Sequence, residues 1–146
     1  MSRAKRLEPV QHLVDDAERR LARSVAALER RVTEAEGKHG ELDRYRAEYQ
    51  QQFAHRAAQG MGATDLRDYQ AFLARLNEAI RQQYALVLRA RAERDAERGR
   101  WQEAARKVKT IDRVADQWRA EERRAQDQKE QRDSDELAQR RSPPKL

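Results

Sequence analysis

The 146-residue sequence contains no cysteine, which excludes disulfide staples, thiolate metal sites and cysteine nucleophiles. Glycine (5) and proline (3) are scarce, so there are few places where a helix has to stop or the chain can reverse. Aromatic residues make up 5%, too few for a thick globular core. No run of about 18 apolar residues occurs, which removes a transmembrane helix. The first twenty residues, MSRAKRLEPVQHLVDDAERR, lack the apolar stretch of a secretory signal, so a cytoplasmic protein is expected. A Ser-His-Asp set, paired carboxylates in a cleft and a phosphate-binding glycine loop are all missing. His12, His39 and His55 stand too far apart along a helix to converge. His12 with Asp15 or Asp16 has spacing suited to weak metal binding, but solvated side chains are the simpler reading. The expectation is a protein that is not an enzyme, with no catalytic residue, metal or cofactor.

What the chain does have is charge. Charged residues make up 40% and apolar residues 38%, with 32 basic against 26 acidic and a net charge of +6. Both signs are mixed throughout, as in Arg89-Ala-Arg-Ala-Glu-Arg-Asp-Ala-Glu-Arg-Gly-Arg100. That pattern describes a solvated, salt-bridged face more than the clustered footprint of a nucleic-acid binder. The apolar residues recur at helical spacing, so the chain is not of disordered type. It can bury a narrow stripe, which is what a coiled coil requires.

From Pro9, acceptable in a first helical turn, apolar positions step by three and four. They are Val10, Val14, Ala17, Leu21, Val25, Leu28, Val32, Ala35, Leu42, Tyr49 and Phe53. Residues 1–8 read as a frayed basic end. A first helix over about 9–58 would extend about 75 Å at 1.5 Å per residue. Gly60 and Gly62 supply the one reversal point, a turn at 59–63, with Thr64 or Asp65 as N-cap of the next helix. That second helix carries the clearest heptads: Leu66, Leu73, Ile80, Val87, Arg94, Trp101, Val108 and Ala115 at a. At d stand Tyr69, Leu76, Gln83, Ala90, Glu97, Ala104, Ile111 and Trp118. The seam fails at Arg94 and Glu97. Folding at Met61 sets Phe53 against Tyr69, Leu42 against Ile80, Ala35 against Val87, Leu21 against Trp101 and Val14 against Val108. Leu28 against Arg94 is the poor match. The fold expected is therefore all-α: one monomeric, long antiparallel two-helix coiled-coil hairpin spanning 1–146. Its longer second helix runs over about 64–135, followed by a flexible tail at 136–146.

Every Tyr and Phe lies near the turn: Tyr45, Tyr49, Phe53, Tyr69, Phe72 and Tyr84. Phe72, Ala79 and Leu86 flank the seam beside Leu73, Ile80 and Val87, and Tyr45 flanks Leu42 and Tyr49. The apolar stripe there is wider than two helices bury, which points to a partner. Trp118 is either a partner contact or the last residue of the seam, and the seam is favoured.

The same stretch resembles the FliJ family of bacterial flagellar type III export proteins. The resemblance rests on Tyr45, Glu48-Tyr49, the glycine-centred turn, and Tyr69-Gln70-Ala71-Phe72 followed by Leu76 and Glu78-Ala79-Ile80. Near the C-terminus it rests on Asp135-Glu136-Leu137-Ala138-Gln139-Arg140-Arg141. Length and hairpin layout match over essentially the whole chain. The resemblance implies a stalk, similar to the central shaft of rotary ATP synthases. Its two-terminus end, where Trp118 lies, would sit in the pore of the hexameric flagellar export ATPase. Its tip would reach the cytoplasmic domain of the export-gate membrane protein through Leu42, Tyr45, Tyr49, Phe72, Leu76 and Ala79. Lys38 and Gln83 stand where the family has Gln and His, and are left out of that set. The family also escorts empty export chaperones. Localisation in the cytoplasm at the membrane-embedded export apparatus follows. Three alternatives remain open: the stalk of a virulence type III secretion system, a coiled-coil nucleic-acid-binding module, and a free export chaperone.

Overall fold

Two α-helices make up nearly all of the computed structural model, which describes residues 2–141. They are α1 (Arg3–Ala58, 56 residues) and α2 (Ala63–Arg141, 79 residues). Among the described residues there is no strand, and the fold is the expected all-α helical hairpin with a longer second helix.

The helix ends differ from those read in the sequence, each for a local reason. The first helix starts at Arg3, not near residue 9, because Ser2 caps it: the Ser2 Oγ accepts from the Lys5 N–H at 3.1 Å. Residues 3–8 are therefore helical rather than frayed. Pro9 consequently lies inside α1, where it removes one backbone hydrogen bond instead of occupying the free first turn. At the reversal, the Gln59 and Gly60 N–H groups donate to Arg56 and Ala57 carbonyls, and Gly60 takes φ +101°. That left-handed conformation is where glycine is needed. The N-cap of α2 is Gly62, whose carbonyl accepts from the Leu66 N–H at 3.1 Å. Thr64 and Asp65, the expected caps, lie inside the first turn, where the Asp65 charge suits the helix dipole. At the other end α2 continues to Arg141, beyond the expected 135. Side-chain bonds one turn apart, Gln126–Glu130 and Gln131–Asp135, support it, and Arg140 and Arg141 complement the dipole. The rest of the expected tail, 142–146, lies outside the described residues.

The chain divides into two compact units. One is Leu21–Trp101, which contains the turn. Its core is Val32, Leu76, Ile80 and Val87, all at most 7% exposed, and each such side chain contributes roughly 1.5–3 kcal/mol when fully buried. The seam tolerates its polar members by bonding them. Gln83 donates from Nε2 to the Ala35 carbonyl at 3.0 Å. Glu97 accepts from the Ser24 hydroxyl across the seam and from Arg100 at 3.0 Å.

The other unit joins Met1–Arg20 with Gln102–Leu146. Its buried residues, among those described, are Ala4, Ala104 and Ala115, all alanines. Each buries little more than one methyl, about 0.8 kcal/mol, so this unit has the thinner core. Polar contacts add to it. Arg3 pairs with Glu121 at 2.7 Å, its guanidinium lies 4.8 Å from the Trp118 ring centroid, and the Ala4 N–H donates to Glu122 at 3.2 Å. From Arg123 to Arg141 every residue is exposed.

Candidate partner-binding surface

Beside the turn, successive residues of α1 and α2 bring five rings into one ladder. Phe53 stacks on Tyr69 with centroids 3.6 Å apart and planes inclined by 14°. Tyr69 stacks in turn on Tyr49 at 5.1 Å and 10°. Tyr49 meets Phe72 at 4.5 Å, and Tyr45 meets Phe72 edge-on at 6.1 Å and Tyr49 at 6.4 Å. Spacing of four along α1 (Tyr45, Tyr49, Phe53) and three along α2 (Tyr69, Phe72) puts each set on one face. The pairing of Phe53 with Tyr69 is the one read from the hairpin register.

The ladder covers much of itself. Tyr49, Phe53, Tyr69 and Phe72 are half-buried, while Tyr45 remains 49% exposed. Of the six residues carried over from the resemblance, Tyr45, Tyr49 and Phe72 thus touch one another. Leu42 and Ala79 are half-buried. Leu76 is 6% exposed and sits in the seam, so it offers almost no surface of its own. Leu86, further along the flanking stripe, is 47% exposed.

A polar rim borders the rings. Arg46 bridges the helices, donating to Asn77 at 2.9 Å and to Asp43 at 3.1 Å. Arg81 hydrogen-bonds Glu78, and this bond, with the guanidinium charge, holds the Glu78 carboxyl below its usual range. Gln83 donates one Nε2 hydrogen to the Ala35 carbonyl, across the seam from α2 to α1. Arg46 and Asn77 were not singled out in the sequence. Their signal was available only once the register was set, because each is an ordinary polar residue on its own helix.

At the chain ends, Trp118 is half-buried beneath Arg3. No group of three or more His, Asp or Glu side chains able to hold a metal occurs among the described residues. Among them no helix is long and apolar enough to cross a membrane.

Compared with protein families, residues 3–143 match the family described as "FliJ: Flagellar FliJ protein". The chain belongs to the FliJ family. Comparison with curated proteins and with solved structures finds no match. Membership makes this a flagellar export-associated protein, from a family that is a non-catalytic component of the export apparatus. In FliJ terms the ladder is the part of the hairpin nearest its turn, and Trp118 belongs to the part that holds the chain ends.

Proposed function

We propose that the protein is the non-enzymatic stalk of the flagellar export ATPase, coupling the ATPase ring to the export gate. The tip, through Tyr45, Tyr49 and Phe72, meets the cytoplasmic domain of the gate protein. The end that carries both chain ends, around Trp118, engages the hexameric ATPase and promotes its assembly. The observation that carries this reading is the mutual contact of those three rings with half of Tyr45 still open to solvent. Exposed aromatic side chains held rigid by neighbours are the usual anchors of protein interfaces. Exposed ion pairs are each worth only a few tenths to about 1 kcal/mol, so a mixed-charge end can engage a ring without locking to one orientation.

The test is the hydrolysis rate of the cognate flagellar export ATPase, titrated with the full chain and with a version ending at Arg119. Stimulation by the full chain that is lost on truncation supports the stalk. No effect from either, with helix content intact, overturns it.

A further inference from the structure

Leu13 is 70% exposed, the highest value for any large hydrophobic side chain of the described residues. A single exposed leucine needs no explanation, but this one has company. Val10 is 40% exposed and lies one turn before Val14. A surface groove of about 250 Å³ is walled by Val14, Thr110, Ile111 and the side chains of Arg106 and Lys107. Gln11 closes the opposite flank of the same seam, donating to Asp112 at 3.1 Å and accepting from Arg119 at 3.2 Å. Two residues apart, Gln11 and Leu13 project to roughly opposite sides of α1, so Leu13 stands on the open flank.

The charges around this flank are mostly basic. Arg6 and Arg20 lie seven residues before and after Leu13, on the same row of α1. Among the described residues, Arg106 donates only to a backbone carbonyl, that of Gln102, at 3.4 Å. The nearby acids are Asp16 on α1 and Glu103 on α2, two carboxylates against four basic groups. The stretch Gln102-Glu-Ala-Ala-Arg-Lys-Val-Lys-Thr-Ile111 has three basic residues and one acid.

We infer that this face receives an acidic amphipathic helix of a partner protein. Its apolar side chains, at i, i+3, i+4 spacing, fill the Val14–Ile111 groove and cover Leu13. Its carboxylates run along the edges against Arg6, Arg20, Arg106 and Lys107. An apolar floor between basic edges fits that occupant, whereas a nucleic-acid backbone has no use for the floor. The inference concerns the chemistry of the occupant and holds whether or not the export ATPase supplies it.

The experiment uses the full chain and two labelled synthetic 18-residue helical peptides, read by fluorescence anisotropy. One has Leu at i, i+3, i+4 positions with Glu elsewhere on its edges; the other has Lys in place of Glu. Expected is saturable binding of the Leu/Glu peptide at least tenfold tighter than the Leu/Lys peptide. Leu13→Asp should weaken it at least tenfold with helix content unchanged, and Arg106→Glu with Lys107→Glu should reverse the preference. Equal binding of both peptides, no saturable binding, or insensitivity to Leu13→Asp overturns the inference. A parallel arm sediments the chain with phosphatidylglycerol-containing vesicles. Retention abolished by Leu13→Asp, with no peptide binding, assigns the face to lipid and also overturns it.

Discussion

The glycines inside the helices make opposite demands from the glycine at the turn, and substitution by alanine separates them. A Cβ built on Gly37 or Gly99 meets nothing within 4 Å, and both residues lie in uninterrupted helix. Replacing either by Ala removes the unfolded-state freedom of glycine and adds helix propensity, about 1 kcal/mol each. The two positions share no partner, so Gly37→Ala with Gly99→Ala should gain about 2 kcal/mol. For a chain of this size each such gain raises the melting temperature by roughly 3–5 °C. Gly60 also has open space, but its φ of +101° is unfavourable for any L side chain. Gly60→Ala should therefore cost roughly 1–2 kcal/mol despite the room. The assay is urea unfolding followed by far-UV circular dichroism, with ATPase stimulation measured on the same samples. Loss of stability in Gly37→Ala or Gly99→Ala would refute the reasoning, as would a neutral Gly60→Ala. Higher stability with lost stimulation would instead show that the helix must bend at those glycines to function.

Four further outcomes are expected. Phe72→Ala removes the ring on which Tyr45 and Tyr49 rest; because the ring is half-buried it should cost about 1–2 kcal/mol. The same variant should weaken gate-domain binding in calorimetry while ATPase-ring binding persists; equal loss of both would mean unfolding alone. Hydrogen bonds from Ser24 and then Arg100 lower the Glu97 pKa. Its stabilising contribution is thus complete at neutral pH, above the unfolded value, and fades as pH falls through the depressed folded value. Ser24→Ala should make the pH dependence of unfolding shallower in that acidic window, and an unchanged profile would count against the bond. Hydrogen exchange should show faster opening around Ala4, Ala104 and Ala115 than around Val32, Ile80 and Val87, since the alanines bury far less apolar surface; the reverse order would refute the argument from core thickness.

The heptads were enough to read the two helices, the reversal at Gly60 and the Phe53–Tyr69 pairing, because a seam of period 3.5 leaves little freedom of register once the turn is placed. The ends were harder. Ser2 is a polar residue among many, and only the Lys5 N–H it accepts from, with Arg3 over Trp118, shows why the helix begins there. The α2 terminus ran past the sequence reading because charge and amide pairs sustain helix without any apolar signal. At the tip, spacing located the rings, but not how far they would cover one another. That depends on side-chain rotamers, and it leaves Tyr49 and Phe72 half-buried while Tyr45 stays 49% exposed and Leu86, further along the stripe, 47% exposed. Gln83 read as a flaw in the seam, whereas its bond to the Ala35 carbonyl makes it a register lock.

The turn near the middle of the chain also governs the order in which contacts can form. Arg46 and Asn77 are separated by 31 residues, but Arg3 and Glu121 by 118. The entropy of closing a loop rises with its length, so pairing that begins beside Gly60 and zips outward meets the smallest barrier at every step. During synthesis α1 leaves the ribosome first and has no partner until the turn and the first heptads of α2 follow. Throughout that interval its stripe of Val, Leu and aromatic side chains stands open to other chains. On that argument the aromatic ladder would nucleate the hairpin, and the clasp of Arg3 on Glu121 and Trp118 would close last.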